Sequence, residues 1–215
     1  MTHSPMRLPL VAALLCASLQ AWACTPTGDP QLASGGFRES FDKTKIGAHW
    51  LNTGGPYEVR EGQLHVRGAR NHPLWLRRRL PRDLRIEFKA RSESSEGDLK
   101  FEVFGDGSSF ARSESYTATS YVVIFGGWNN STNLIARLDE HGSERQVGKT
   151  KRVVPGQSYR LRFERRKDVL RFFVDDELLV EMKDRRPLEG RGHDHFAFNN
   201  WESDVWFDDL SITAL

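Results

Sequence analysis

Along much of the chain, apolar and polar residues alternate one for one. In Leu84-Arg85-Ile86-Glu87-Phe88-Lys89-Ala90-Arg91 every second residue is apolar. This is the period of a strand with one face on a core and the other toward water. Residues 100–104, 133–139, 159–165 and 170–174 keep the same period. Turn-forming stretches separate them: Asn52-Thr53-Gly54-Gly55-Pro56, Gly105-Asp106-Gly107, His141-Gly142 and Pro155-Gly156-Gln157. Asp175-Asp176, set between two apolar runs, predicts a tight hairpin turn. Residues 107–120 are polar and without period, and read as a long loop. No run carries the 3.6-residue spacing of a helix, and no internal repeat is present. The pattern predicts roughly a dozen strands, hence an all-β fold of two packed antiparallel sheets.

Alternation also assigns faces. With Leu84, Ile86 and Phe88 inward, Glu87 faces out; with Leu99, Phe101 and Val103 inward, Lys100 and Glu102 face out. In residues 133–139, Leu134, Ala136 and Leu138 are assigned to the core, leaving Ile135, Arg137 and Asp139 outward. With Phe196 and Phe198 inward, His195, Ala197, Asn199 and Trp201 share the outer face. The predicted groove is therefore Glu87, Glu102, Arg137, His195, Asn199 and Trp201. For each charged residue taken singly, a solvated sheet surface is the plainer reading.

Composition narrows the function classes. Of 215 residues, 38% are hydrophobic and 28% charged, the balance of a globular chain rather than a disordered one. The first 23 residues hold one base, Arg7, and no acid; the remainder carries 30 basic against 29 acidic residues. So even a balance argues against nucleic acid as a partner. Arg7, the apolar run 8–19 and Ala21-Trp22-Ala23 form an export signal, residues 1–23. The apolar run is too short to span a bilayer comfortably. Of the two cysteines, Cys16 lies inside that signal and Cys24 directly follows it. Cys24 there resembles the lipidated first residue of a mature bacterial lipoprotein, although Trp22 is bulkier than the small residue usual at its position. Cleavage and plain secretion is the alternative. The expected organisation is a signal over residues 1–23, a Pro/Gly/Thr/Ser-rich tether over 24–36, and one domain over 37–215, exported and held to a membrane only through the lipid.

Three stretches carry a family resemblance: Phe41-Asp42 with Trp50 and Tyr57-Glu58-Val59-Arg60-Glu61-Gly62-Gln63-Leu64; Gly156-Gln157-Ser158-Tyr159-Arg160-Leu161-Arg162-Phe163 with the hairpin 170–180; and the closing Val205-Trp206-Phe207-Asp208-Asp209-Leu210-Ser211-Ile212. They resemble the concanavalin A-like superfamily of lectins, laminin G-like modules, glucanases and 3-keto-disaccharide hydrolase-like domains. The resemblance implies a two-sheet antiparallel jelly-roll sandwich and leaves chemistry open, because these motifs are structural.

Two clusters mix a flat aromatic face with amides, as sugar recognition requires: Gly126-Gly127-Trp128-Asn129-Asn130-Ser131-Thr132-Asn133 and Asn199-Asn200-Trp201. The candidate ligand-binding residues are Trp128, Asn129, Asn133, Arg137, Asn199 and Trp201, for a carbohydrate or cell-envelope glycan. The same Gly-Gly and Asn-Asn pairs are also turn formers. A glycoside-acting hydrolase or lyase is the second reading, with Glu87, Glu102 and His195 as acid, base or orienting groups. A structural envelope protein without a small ligand is the third. Glu202-Ser203-Asp204-Val205-Trp206-Phe207 follows the glucanase pattern E-x-D-x-x-E until its last position, where phenylalanine replaces an acid. For metals, His193 and His195 project to one strand face, with His141 or Asp139 as a third ligand. Asp106 and Asp208-Asp209 supply oxygen for a structural calcium of the kind the resemblance suggests. No cofactor is otherwise implied.

Overall fold

The computed structural model describes Met1, residues 28–113 and residues 116–215. Residues 2–23 of the expected signal and Cys24 lie outside the described residues. The strands are β1 (Phe37–Glu39), β2 (Trp50–Asn52), β3 (Glu58–Arg60), β4 (Gln63–Arg67), β5 (Leu74–Leu76), β6 (Leu84–Ser92), β7 (Leu99–Gly105), β8 (Tyr121–Gly126), β9 (Thr132–Arg137), β10 (Arg145–Val147), β11 (Ser158–Arg166), β12 (Val169–Val174), β13 (Glu177–Lys183), β14 (His195–Asn199) and β15 (Asp204–Ala214). Five of them, β1, β2, β3, β5 and β10, are three residues long, too short for a period to register.

Two antiparallel sheets result, so the chain is an all-β jelly-roll sandwich. Sheet one runs β13-β12-β11-β6-β15-β4-β3, with β1 also beside β15; sheet two runs β10-β9-β8-β7-β14-β5-β2. Asp175 and Asp176 both take positive φ, 50° and 68°, the backbone of a tight hairpin turn whose twist matches its strands. Between the sheets the core is aromatic. Phe88 meets Phe101 edge-on at 5.1 Å, and Phe198 stacks on Phe207 at 4.5 Å. Such pairs add about 0.5–1.5 kcal/mol each beyond their buried area.

The outer faces differ. On sheet one, Arg85 meets Glu164 at 2.8 Å, Arg171 meets Glu181 at 2.7 Å and Lys89 meets Asp209 at 2.7 Å, a solvated ladder of ion pairs. Glu87 stands on this face, opposite Arg162 and Ser211. On sheet two, Val122, Ile124, Leu134 and Ala136 form a second apolar cluster with Ala111, Tyr116 and Ala118 of the long loop. This corrects the assignment on β9: Ile135 belongs to the main core, and Leu134 and Ala136 face outward beneath the loop. Both faces of β9 are apolar because both are covered, so alternation could not tell them apart.

Part of the expected tether is docked. Gln31 bridges Arg79 in parallel, Leu32 N–H donates to Arg79 O at 2.9 Å, and Asp29 accepts from Arg77 Nε at 3.1 Å.

Candidate functional site

β7 lies between β8 and β14, antiparallel to both. The ends of β8 and β14 therefore meet the start of β7. Trp128 follows β8 and Trp201 follows β14, so the two indoles flank the residues where β7 begins. They line a cleft of about 630 Å³ together with Asn71, Asp98, Lys100, Asn129 and Glu140.

The turn bearing Trp128 is unusual in its backbone. Trp128, Asn129 and Asn130 take positive φ of 48°, 56° and 59°, a left-handed run that costs roughly 1–2 kcal/mol per residue. This is why the four-residue helical turn Gly127–Asn130 is not an α-helix in its dihedrals. Two amides hold it. Asn130 donates to Val153 O at 2.7 Å and Ser95 O at 3.1 Å, and accepts from Val153 N–H at 2.8 Å. Asn133 accepts from Gly126 N–H at 2.8 Å and donates to Lys149 O and Lys151 O at 2.8 and 3.0 Å. Trp128 is left 39% exposed, with His141 edge-on at 5.4 Å and the Arg145 guanidinium 5.6 Å from its ring centre.

Trp201 is fixed through its backbone. Its N–H donates to Asp98 Oδ2 at 3.2 Å and its carbonyl accepts from Arg70 N–H at 2.9 Å. Asn200 secures the same turn, accepting from Ala69 N–H at 3.1 Å and donating to Ser203 O at 2.9 Å.

Charge is concentrated in the floor. Lys100, 2% exposed, has its Nζ 2.8 Å from Glu140 Oε2 and 3.0 Å from Asn71 Oδ1. Burial alone would lower the lysine pKa, but Glu140 and Asp98 more than offset it and hold the ammonium charged. Burial raises the Asp98 pKa against the pull of Lys100, and Glu140 adds to the rise. Deeper, beneath the long loop, Glu102 is fully buried. It accepts from Ser120 Oγ at 2.5 Å, Asn199 Nδ2 at 2.7 Å and Tyr116 Oη at 3.1 Å. Burial pushes its pKa up to about 7 despite these donors and Lys100. Burial and the Glu102 charge together push the Tyr116 phenol well above its ordinary range.

The predicted groove and the ligand-binding candidates thus separate into parts. Trp128, Asn129 and Trp201 share the cleft. Asn133 is spent inside its turn, and Asn199 lies under the floor, bonded to Glu102 and to Asn71 at 3.3 Å. Arg137 sits at the other end of β9, bonded to Asp184 at 3.1 Å and Glu144 at 3.2 Å. Glu87 and Glu102 do not pair, because they stand on outer faces of opposite sheets. His195, opposite Gly105 at the far end of β14, is buried beside Asp194 at 2.8 Å and Asp29 at 3.4 Å. His193 Nδ1 engages Thr119 O at 2.7 Å. Asp106 Oδ1 accepts from Ser108 N–H and Ser109 N–H at 2.8 Å each. Among the described residues no group of three or more His, Cys, Asp or Glu is arranged to hold a metal, so the histidine and aspartate ligands considered from sequence are not assembled. Sequence reasoning missed Asp98, Glu140 and Asn71. Asp98-Leu99-Lys100-Phe101-Glu102 carried a usable signal, three charges alternating with core residues; Glu140 and Asn71 arrive from distant loops and carried none.

No protein-family model matches the sequence, and no curated protein sequence matches it. Solved structures do resemble it in shape. A carbohydrate-binding module, CBM66, from Bacillus subtilis superposes with a TM-score of 0.59 at 14% identity, covering 77% of this chain and 96% of its own. A prokaryotic β-1,3-1,4-glucanase (lichenase) from a mouse hindgut metagenome gives 0.61 at 12%, covering 83% and 99%. Domain 4 of AbnA, an extracellular arabinanase from Geobacillus stearothermophilus in complex with arabinotriose, gives 0.55 at 14%, covering 83% and 90%. At such identities the likeness is one of fold, and this chain has the sandwich fold that these carbohydrate-binding modules and glucanases share.

Proposed function

We propose that this protein binds a carbohydrate without transforming it, in the cleft flanked by Trp128 and Trp201. The observation that carries the reading is the pairing of two indoles, each on a turn held by hydrogen bonds, on either side of a polar floor. Sugars present C–H faces that pack on indole and hydroxyls that need donors and acceptors. Asn129 and the carboxylates of Asp98 and Glu140 supply the polar partners, and the small-ligand volume of the cleft agrees. The names of the fold neighbours support the same ligand class. A glycan-array screen with and without calcium tests it. Saturable binding that Trp128→Ala or Trp201→Ala weakens about tenfold or more, with thermal unfolding unchanged, is the expected result. A blank under both conditions removes the reading.

One observation favours a glycoside hydrolase instead: Asp98 and Glu140 are two carboxylates in one cleft, and burial raises Asp98. Against it, Lys100 engages Glu140 at 2.8 Å and the Trp201 N–H occupies Asp98. Release of reducing sugar that Asp98→Asn abolishes, with binding retained, would decide for hydrolysis. Export and lipidation at Cys24 rest on the sequence alone; Cys24→Ser is expected to move the protein from the membrane to the soluble fraction.

A further inference from the structure

Trp201 and Glu202 line a second hollow as well. It measures about 720 Å³ and is completed by Arg70, His72, Phe110 and Arg112. Phe110 is 37% exposed, stacks on His72 at 5.3 Å and carries the Arg112 guanidinium 5.8 Å from its ring centre. An exposed phenylalanine on a loop would ordinarily be free to move, yet both its neighbours are pinned. Ser109 O accepts from Trp75 Nε1 at 2.9 Å, Ser109 Oγ donates to Asp106 at 2.5 Å, and Ala111 N–H donates to Asn71 O at 2.8 Å. Asn71 also donates its N–H to Asn200 O at 3.0 Å and accepts from Lys100 Nζ at 3.0 Å. A single residue therefore ties the cleft floor, the Trp201 turn and the Phe110 loop to one frame.

Resting on the carbohydrate reading above, we infer that the site is a groove continuing past Trp201 to Phe110, and that its ligand is an extended oligosaccharide chain rather than a mono- or disaccharide. The two hollows meet at a shared tryptophan, so a ligand filling only the Trp128–Trp201 cleft leaves the Phe110 platform empty. The Trp201 turn and the Phe110 loop, held on one frame, offer contact area that a flexible chain meets with little ordering of the protein, so each added contact falls on a surface already in place. The exposed Arg70–Glu202 pair, 3.0 Å apart, rims the junction, its two charges offsetting one another, and Arg112 lines the hollow beyond it.

The test is titration calorimetry of the full chain with ladders of two to six sugars from a neutral β-glucan, a xylan and an arabinan. Affinity for at least one ladder should rise about tenfold or more from two to five sugars. Phe110→Ala should flatten that rise while leaving disaccharide affinity and thermal unfolding unchanged; Trp201→Ala should lower both. An affinity that is already maximal at two sugars, or a rise that Phe110→Ala leaves intact, overturns the groove and keeps the cleft. No heat with any ladder, joined to a blank array, overturns the carbohydrate reading itself.

Discussion

On the outer face of β6, Lys89 reaches Asp209 at 2.7 Å with both side chains about half exposed; on the outer face of β7, Lys100 reaches Glu140 at 2.8 Å and is almost wholly buried. The two contacts have the same length and opposite consequences. Water screens the first, so its loss is little felt. The second stands in a floor where water has been replaced by Asp98, Glu140 and Asn71, and each charge there depends on the others. Both lysines occupy outward positions of strands that alternate equally well. What separates them is the cover on sheet two, the long loop and the two tryptophan turns, which makes a hollow out of one face and leaves the other a solvated ladder. A charged residue marks a site when its face is roofed.

Lys100→Met should break this contrast most sharply. It removes the cation from between two half-buried carboxylates, Asp98 and Glu140, and should cost about 3 kcal/mol in urea unfolding at pH 7, whereas Lys89→Met should give a curve that overlays the parent. Next comes pH. The folded pKa of Glu102 lies near 7, above its ordinary value, so between about 4.5 and about 7 the native state holds a proton the unfolded chain has released. Stability should therefore fall as pH rises through that window, by about 3 kcal/mol at most. Glu102→Gln should remove that part of the slope; an unchanged slope would mean that Glu102 titrates like a surface acid. Asn130→Ala should cost about 1–3 kcal/mol by leaving the Val153 groups unpaired, and should free Trp128, seen as a lower anisotropy of the fluorescence component that Trp128→Phe removes. Least of all, Glu87→Gln on the solvated face should change stability by no more than about 0.5 kcal/mol and leave glycan affinity where it was.

The fold was legible where one strand face is wet. β6, β11 and β12 sit in sheet one with their outer sides in solvent, so Arg85, Glu87, Arg162 and Arg171 spelled out the period. β8 and β9 are buried on both sides, so their apolar runs gave strand without orientation, and Ile135 was assigned to the wrong face. The candidate cleft was legible in its aromatic parts, since Trp128 and Trp201 sit in turn-rich stretches where a large apolar residue has no core to serve. Its polar floor was not, because Glu140 and Asn71 reach Lys100 only after the sheet has assembled. The same holds for Glu102: alternation put it correctly on the outer face, but only the folded loop carrying Tyr116 and Ser120 turns an outward carboxylate into a sealed one. Asn133 shows the converse. Its amide suited a ligand by chemistry and is consumed by the backbone that holds Trp128 in place.

The docking of Asp29 and Leu32 also sets an orientation. The chain joins the sandwich beside Arg77, Arg79 and His195, at the end of β14 that pairs with Gly105, whereas both tryptophans of the cleft gather where β14 has run its length to Asn199. Those ends are about 13 Å apart along the strand. Whatever is attached ahead of Asp29 therefore pulls from one pole of the domain while the cleft opens at the other. Were Cys24 lipidated, as proposed above, that polarity would point the tryptophans away from the membrane with the sandwich as the spacer.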